Sequence, residues 1–81
     1  MKEAIERVRR MEHCFDTLQQ MAAENPDTID KSLLGELLAY YESGQWLQDY
    51  TLDEQGAFPY DLKRGVLSED GVYNFLAEYG L

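Results

Sequence analysis

Asp49, Asp53 and Glu54 are the side chains best spaced for chemistry. If the segment is helical, Asp49 and Asp53 lie one turn apart on one face, as two carboxylates converging on a hard cation would. A calcium site needs about six to eight oxygens, and this spacing is not that of an EF-hand loop. Paired carboxylates also cleave glycosidic bonds, but 81 residues leave little room for a substrate-sized cleft. His13 and Cys14 are chain neighbours, and successive helical residues point about 100° apart. With no third group to orient them, they do not form a nucleophile and base. They also supply only two of the roughly four ligands of a structural zinc site. Cys14 reads as a small buried hydrophobe and His13 as a surface residue. No glycine-rich phosphate loop is visible. The residue types therefore predict no catalytic, cofactor-binding or metal-binding residue, and the chain is expected not to be an enzyme.

Recognition is the alternative to catalysis. Nine of the ten aromatic residues lie from Tyr40 onward. Trp46, Phe58 and Phe75 are expected in the core. Six tyrosines exceed what one small core needs, and Tyr and Trp are enriched at protein interfaces. Tyr40, Tyr41, Trp46, Asp49, Tyr50, Asp53 and Glu54 form the candidate interaction face. Lys63 and Arg64 are the only basic residues after Lys31. They are expected to pair with Asp49, Asp53, Glu54 or Asp70 and lock short elements together, with Asp61, Gly65 and Ser68 completing that lock.

These side chains must be held by helices, because no strand pattern of useful length appears. A first helix is predicted over about Lys2–Ala23. Its Ala4, Val8, Met11, Phe15, Leu18 and Ala22 alternate by four and three as a heptad seam, broadened by Ile5, Cys14 and Met21. Glu3 with Arg7, and Glu6 with Arg10, are spaced as i,i+4 pairs, which argues against a basic patch for nucleic acid. Asn25 is the predicted N-cap and Pro26 the first residue of a second helix reaching about Glu42. Ile29, Leu33, Leu37 and Tyr40 or Tyr41 line it, and Gly35 suggests a close approach by another element. The short break predicts antiparallel packing of the two helices. Ser43 is a candidate cap for a short helix through Trp46 and Tyr50, ending before a turn at Gln55–Ala57. Pro59–Gly65 reads as one helical turn, with Gly65 as its left-handed stop. Ser68 then caps a last helix carrying Val72, Phe75, Leu76 and Tyr79, with Glu69 and Asp70 in its first turn.

The stretch from Ser43 to Leu76 resembles the signature of a small bacterial family of unknown function. The matching positions are Tyr40, Tyr41, Trp46, Asp49, Tyr50, Asp53, Glu54, Pro59, Asp61 through Asp70, and Tyr73; Phe58 stands where the family carries Leu. The resemblance covers about half the chain and rests chiefly on the run Asp61–Asp70. It implies a mostly helical, cytoplasmic bacterial protein and brings no activity, cofactor or catalytic residue.

Length and charge complete the frame. The chain is expected to form one domain over residues 1–81, with a helical hairpin at 1–43 and short helices and turns at 44–81. The fold class is all-α: a long antiparallel helical hairpin with two or three short C-terminal helices packed across it. A domain this small is often marginal alone, which favours self-association. The single cysteine excludes an internal disulfide and fits a reducing compartment. The charged N-terminus is not expected to be a secretory signal, and no apolar run approaches the roughly 20 residues of a membrane span. Net charge is −9, with −3 on residues 1–41 and −6 on 42–81. Direct binding to nucleic acid or an anionic membrane is disfavoured. The chain thus reads as a cytoplasmic interaction module whose partner is another protein or a second copy of itself. The alternative is an acidic inhibitor that blocks a basic nucleic-acid-binding site.

Overall fold

A computed structural model describes residues 2–68 and 70–81. The described residues are helical, with no strand among them. Four α-helices, α1 (Lys2–Glu24), α2 (Lys31–Glu42), α3 (Gln45–Glu54) and α4 (Gly71–Tyr79), are accompanied by 3-10 turns at Pro26–Thr28 and Gly65–Leu67.

The seam of α1 dictates the core. Ala4, Val8, Met11, Phe15, Leu18 and Ala22 are all buried, and Cys14 joins them. At 23 residues the helix spans about 35 Å, long enough to touch every other element. Leu37 and Tyr40 of α2, Phe58 and Leu62 of the connecting segment, Val66 and Leu67 of the second 3-10 turn, and Val72 and Phe75 of α4 close over it. Phe15 meets Phe75 edge to face at 5.6 Å, the arrangement the ring quadrupoles favour. The Cys14 thiol donates to the Leu33 carbonyl at 3.3 Å, which places α2 against the middle of α1. His13 is exposed, as its position predicted.

Several helix ends differ from the sequence reading. Asn25 caps the 3-10 turn, accepting from the Asp27 N–H at 3.0 Å, and does not open α2. Asp30 caps α2, accepting from the N–H groups of Ser32 and Leu33. A helix begun at Pro26 would carry Ile29 in its first turn; instead Ile29 is extended and buried between the two elements. A Cβ at Gly35 would meet nothing within 4 Å, so no element approaches there. Gly44 is the residue before α3, at φ 89, and Ser43 caps from one residue earlier, its hydroxyl accepting from the Gln45 N–H at 3.3 Å. Ser43 closes α2, donating through its hydroxyl to the Tyr40 carbonyl. At the other end of α3, Gly56 adopts φ 70. Its N–H donates to Asp53, and the Ala57 N–H reaches back to Leu52, the paired bonds that terminate a helix through a left-handed residue.

The expected helical turn at Pro59–Gly65 is instead a bend. The Pro59 carbonyl accepts from the Leu62 N–H at 3.1 Å and from Arg64 Nη1 at 3.1 Å, and no helix continues from it. Gly65 does not have a positive φ and is not a helix stop; it opens the second 3-10 turn. Ser68 closes that turn, donating its N–H to the Gly65 carbonyl, so Asp70 rather than Ser68 precedes α4. Glu69, expected in the first turn of α4, lies outside the described residues.

Candidate functional site

The face proposed around α3 divides into an interior half and an exterior half. Trp46, Asp49, Tyr50 and Asp53 recur at three- and four-residue spacing, so they share the side of α3 that meets the rest of the molecule. Asp49 is completely buried. It accepts from Arg7 Nε at 2.9 Å, from Arg7 Nη2 at 2.6 Å and from the Tyr40 hydroxyl at 2.7 Å. The planar guanidinium fork matches the two carboxylate oxygens, and the phenol takes a third acceptor position. One carboxylate thereby ties α1, α2 and α3 together. Asp49 and Tyr40 are thus interior residues, which corrects their placement on an outward face. Arg7 also differs from expectation, because it turns inward to Asp49 instead of along the helix to Glu3. The carboxylate and its charge raise the affinity of Arg7 for its proton. Burial, then the bond to Asp49, pushes the Tyr40 phenol far above its ordinary value.

Trp46 is half-buried between Tyr41, at 4.8 Å, and Tyr50, stacked at 5.1 Å. Its indole N–H donates to the Val66 carbonyl at 2.9 Å. The Val66 N–H in turn donates to Glu12 Oε2 at 2.8 Å. Glu12 is buried on α1, so the segment Gly65–Leu67 is held from both sides by its own backbone groups. Gly65 is required by this contact and not by φ: a Cβ there would lie 3.0 Å from Glu12 Oε1.

The basic pair divides its partners. Arg64 meets Asp53 at 3.0 Å, one of the partners expected for it. Lys63 meets Asp16 of α1 at 3.0 Å, a partner the sequence did not indicate, and both side chains are largely exposed. Asp16 holds the Lys63 proton more firmly than water would. Asp61, Ser68 and Asp70 are exposed, and Lys63 and Arg64 pair with Asp16 and Asp53 instead of with them. A cleft of about 290 Å³ lies beside this clamp, lined by charged groups of both signs including Arg9, Glu12 and Asp61. Among the described residues, no three His, Cys, Asp or Glu side chains converge as metal ligands.

On the outer side of α3, Gly44, Leu47, Gln48, Thr51, Leu52 and Gln55 border an open groove of about 560 Å³. Leu47 is 59% exposed. Tyr60, at the tip of the Pro59–Arg64 bend, is 98% exposed, and Tyr73 on α4 is 67% exposed. Glu54 is exposed at the end of α3.

A family model described as a domain of unknown function (DUF4298) matches residues 2–80. The chain belongs to that family. No curated protein and no solved structure matches it. In this DUF4298 domain the match extends through α1, and α1 supplies Arg7 and Glu12. Both were missed from the sequence, although the periodicity carried a signal. Arg7 shares a heptad position with Cys14 and Met21, so it sits on the broad apolar face. Glu12 follows Ile5 by seven residues on the opposite flank. A charged residue at such a position calls for a partner in the interior. No described helix of the DUF4298 domain is long and apolar enough to cross a membrane.

Proposed function

We propose that this DUF4298 domain is a non-enzymatic protein-interaction module of the bacterial cytoplasm, self-associating or adaptor-like. Its platform is read as an antiparallel hairpin of α1 and α2 crossed by the shorter elements. The contacts Cys14–Leu33 and Arg7–Asp49–Tyr40 support that order. One observation carries the functional reading. Arg7, Tyr40, Asp49, Glu12, Asp53 and Arg64 engage one another or the backbone, while Leu47, Tyr60 and Tyr73 present apolar surface to solvent. A catalytic group must be able to exchange its bonds with a substrate, whereas these polar groups are committed to joining helices. Exposed aromatic and aliphatic side chains gain from burial against a partner.

The test is capture from a lysate of the source cell with the tagged domain, comparing the unmodified chain with Leu47→Asp, Tyr60→Ser and Tyr73→Ser. The reading expects proteins, including untagged copies of the chain, that survive stringent washing and are lost with at least one variant. Recovery that no variant changes would contradict it. The acidic-inhibitor reading draws less support, because Asp49 is interior and Asp53 is paired, leaving Glu54 as the exposed member of its trio. A captured protein displaced by added DNA and released by high salt would favour that alternative.

A further inference from the structure

We propose that two copies of this chain pair through the outer face of α3, antiparallel and about a two-fold axis. The proposal rests on the interaction-module reading and names the partner. The first argument is charge. Each copy carries −9, so most encounters between copies bring like charges together. The exposed residues of α1 include Glu3, Glu6, Arg9 and Arg10; those of α2 include Lys31, Glu36 and Glu42; α4 exposes Glu78. The groove side of α3 is built from Gly44, Leu47, Gln48, Thr51, Leu52 and Gln55, and none of these is charged.

The second argument is self-complementarity. Gly44, Gln48, Thr51 and Gln55 alternate by four, three and four, a seam of uncharged side chains that admits a second helix. Leu47 stands beside that seam, 59% exposed. A two-fold axis makes each contact occur twice, with residue i on j and j on i. The register that lays Leu47 against the partner's Thr51 brings Glu54 beside the partner's Gly44. That is the N-terminal end of α3, where the Gln45 N–H donates to the Ser43 hydroxyl at 3.3 Å. A carboxylate is favoured at such a positive helix end. One register therefore satisfies both the apolar and the charged groups, and the symmetry repeats it. A single ten-residue helix against its twin buries less than a standard interface, so the dimer is weak, with dissociation at roughly 0.1–1 mM.

Sedimentation equilibrium from about 20 µM to 1 mM tests this, at about 0.15 M salt where the Debye length is near 8 Å. The expected result is an average mass that climbs from one chain toward two. Leu47→Asp should weaken the dimer more than tenfold and Glu54→Gln several-fold. Tyr73→Ser should leave it unchanged, and all three should keep the helical circular dichroism of the parent. A monomer mass throughout, or a dimer that survives Leu47→Asp, overturns the pairing. Were the chain monomeric while Tyr60→Ser or Tyr73→Ser still abolished capture of another protein, self-pairing would fall and the interaction-module reading would stand. Capture that none of these variants changes would remove that reading instead.

Discussion

Replacing Arg7 by methionine should be among the most damaging single changes available in this fold. Asp49 is fully buried and holds three hydrogen bonds, two of them from Arg7. Arg7→Met keeps most of the aliphatic volume but leaves a buried carboxylate with one donor, the Tyr40 hydroxyl. Breaking a buried pair from one side costs about 3–5 kcal/mol. An 81-residue domain has a total stability of roughly 4–12 kcal/mol, so this one substitution removes a large share of it. Tyr40→Phe leaves both guanidinium bonds in place and should cost about 1.5–3 kcal/mol, the range for a bond to a charged group. The triple variant Arg7→Met, Asp49→Leu, Tyr40→Phe removes every member of the network. Apolar replacement of a whole buried network is often nearly neutral, so the triple variant should be more stable than Arg7→Met alone. Urea unfolding, followed by Trp46 fluorescence and by circular dichroism, reads all three. With a slope near 1 kcal/mol/M for a small domain, Arg7→Met should lower the midpoint by roughly 3 M. A loss below about 1 kcal/mol for Arg7→Met, or a triple variant less stable than it, would refute the central role given to Asp49.

Alkaline pH should destabilise the domain. Burial raises the proton affinity of the Cys14 thiol, and burial with the Asp49 bond raises that of Tyr40. The folded state then keeps protons that the unfolded chain releases near pH 9 and pH 10. Their contribution is complete below those values and falls as pH rises through them; Tyr40→Phe should flatten the decline above about pH 10 in a melting series. Glu12→Ala should strip the buried Val66 N–H of its acceptor, cost about 1–3 kcal/mol, and accelerate hydrogen exchange at that amide. Gly65→Ala should destabilise through Glu12 and not through φ, so its cost should shrink when measured in the Glu12→Ala background. Gly56→Ala should lower stability by about 1–2 kcal/mol, because φ there is 70, and thermal melts would show it.

The sequence made the long-range skeleton visible and hid the joints. The seam from Ala4 to Ala22 was legible because burial against several partners selects apolar residues at every fourth and third position. Arg64 with Asp53 was legible because few cations face many acids in that half. Caps were harder, since Asn25, Asp30, Ser43 and Ser68 can each bond nearby backbone, and only the packing of Ile29 or Val66 decides among them. The bend at Pro59–Arg64 was misread as helical for the same reason: Pro and Gly punctuate turns and helices alike. Asp49 was misplaced because its type suggests solvent, while its spacing from Trp46 and Asp53 placed it on the inward face. The answer lay on α1, 42 residues away at Arg7, and no local rule reaches that far.

The most direct measurement is a series of amide proton–nitrogen spectra of the isolated chain from about 20 µM to 1 mM, the range set by a weak interface. The account predicts progressive shifts at Gly44, Leu47, Gln48, Thr51 and Gln55, while the Trp46 indole N–H, bonded to Val66, stays in place. Spectra that do not change with concentration, or shifts confined to another face of the molecule, would contradict it.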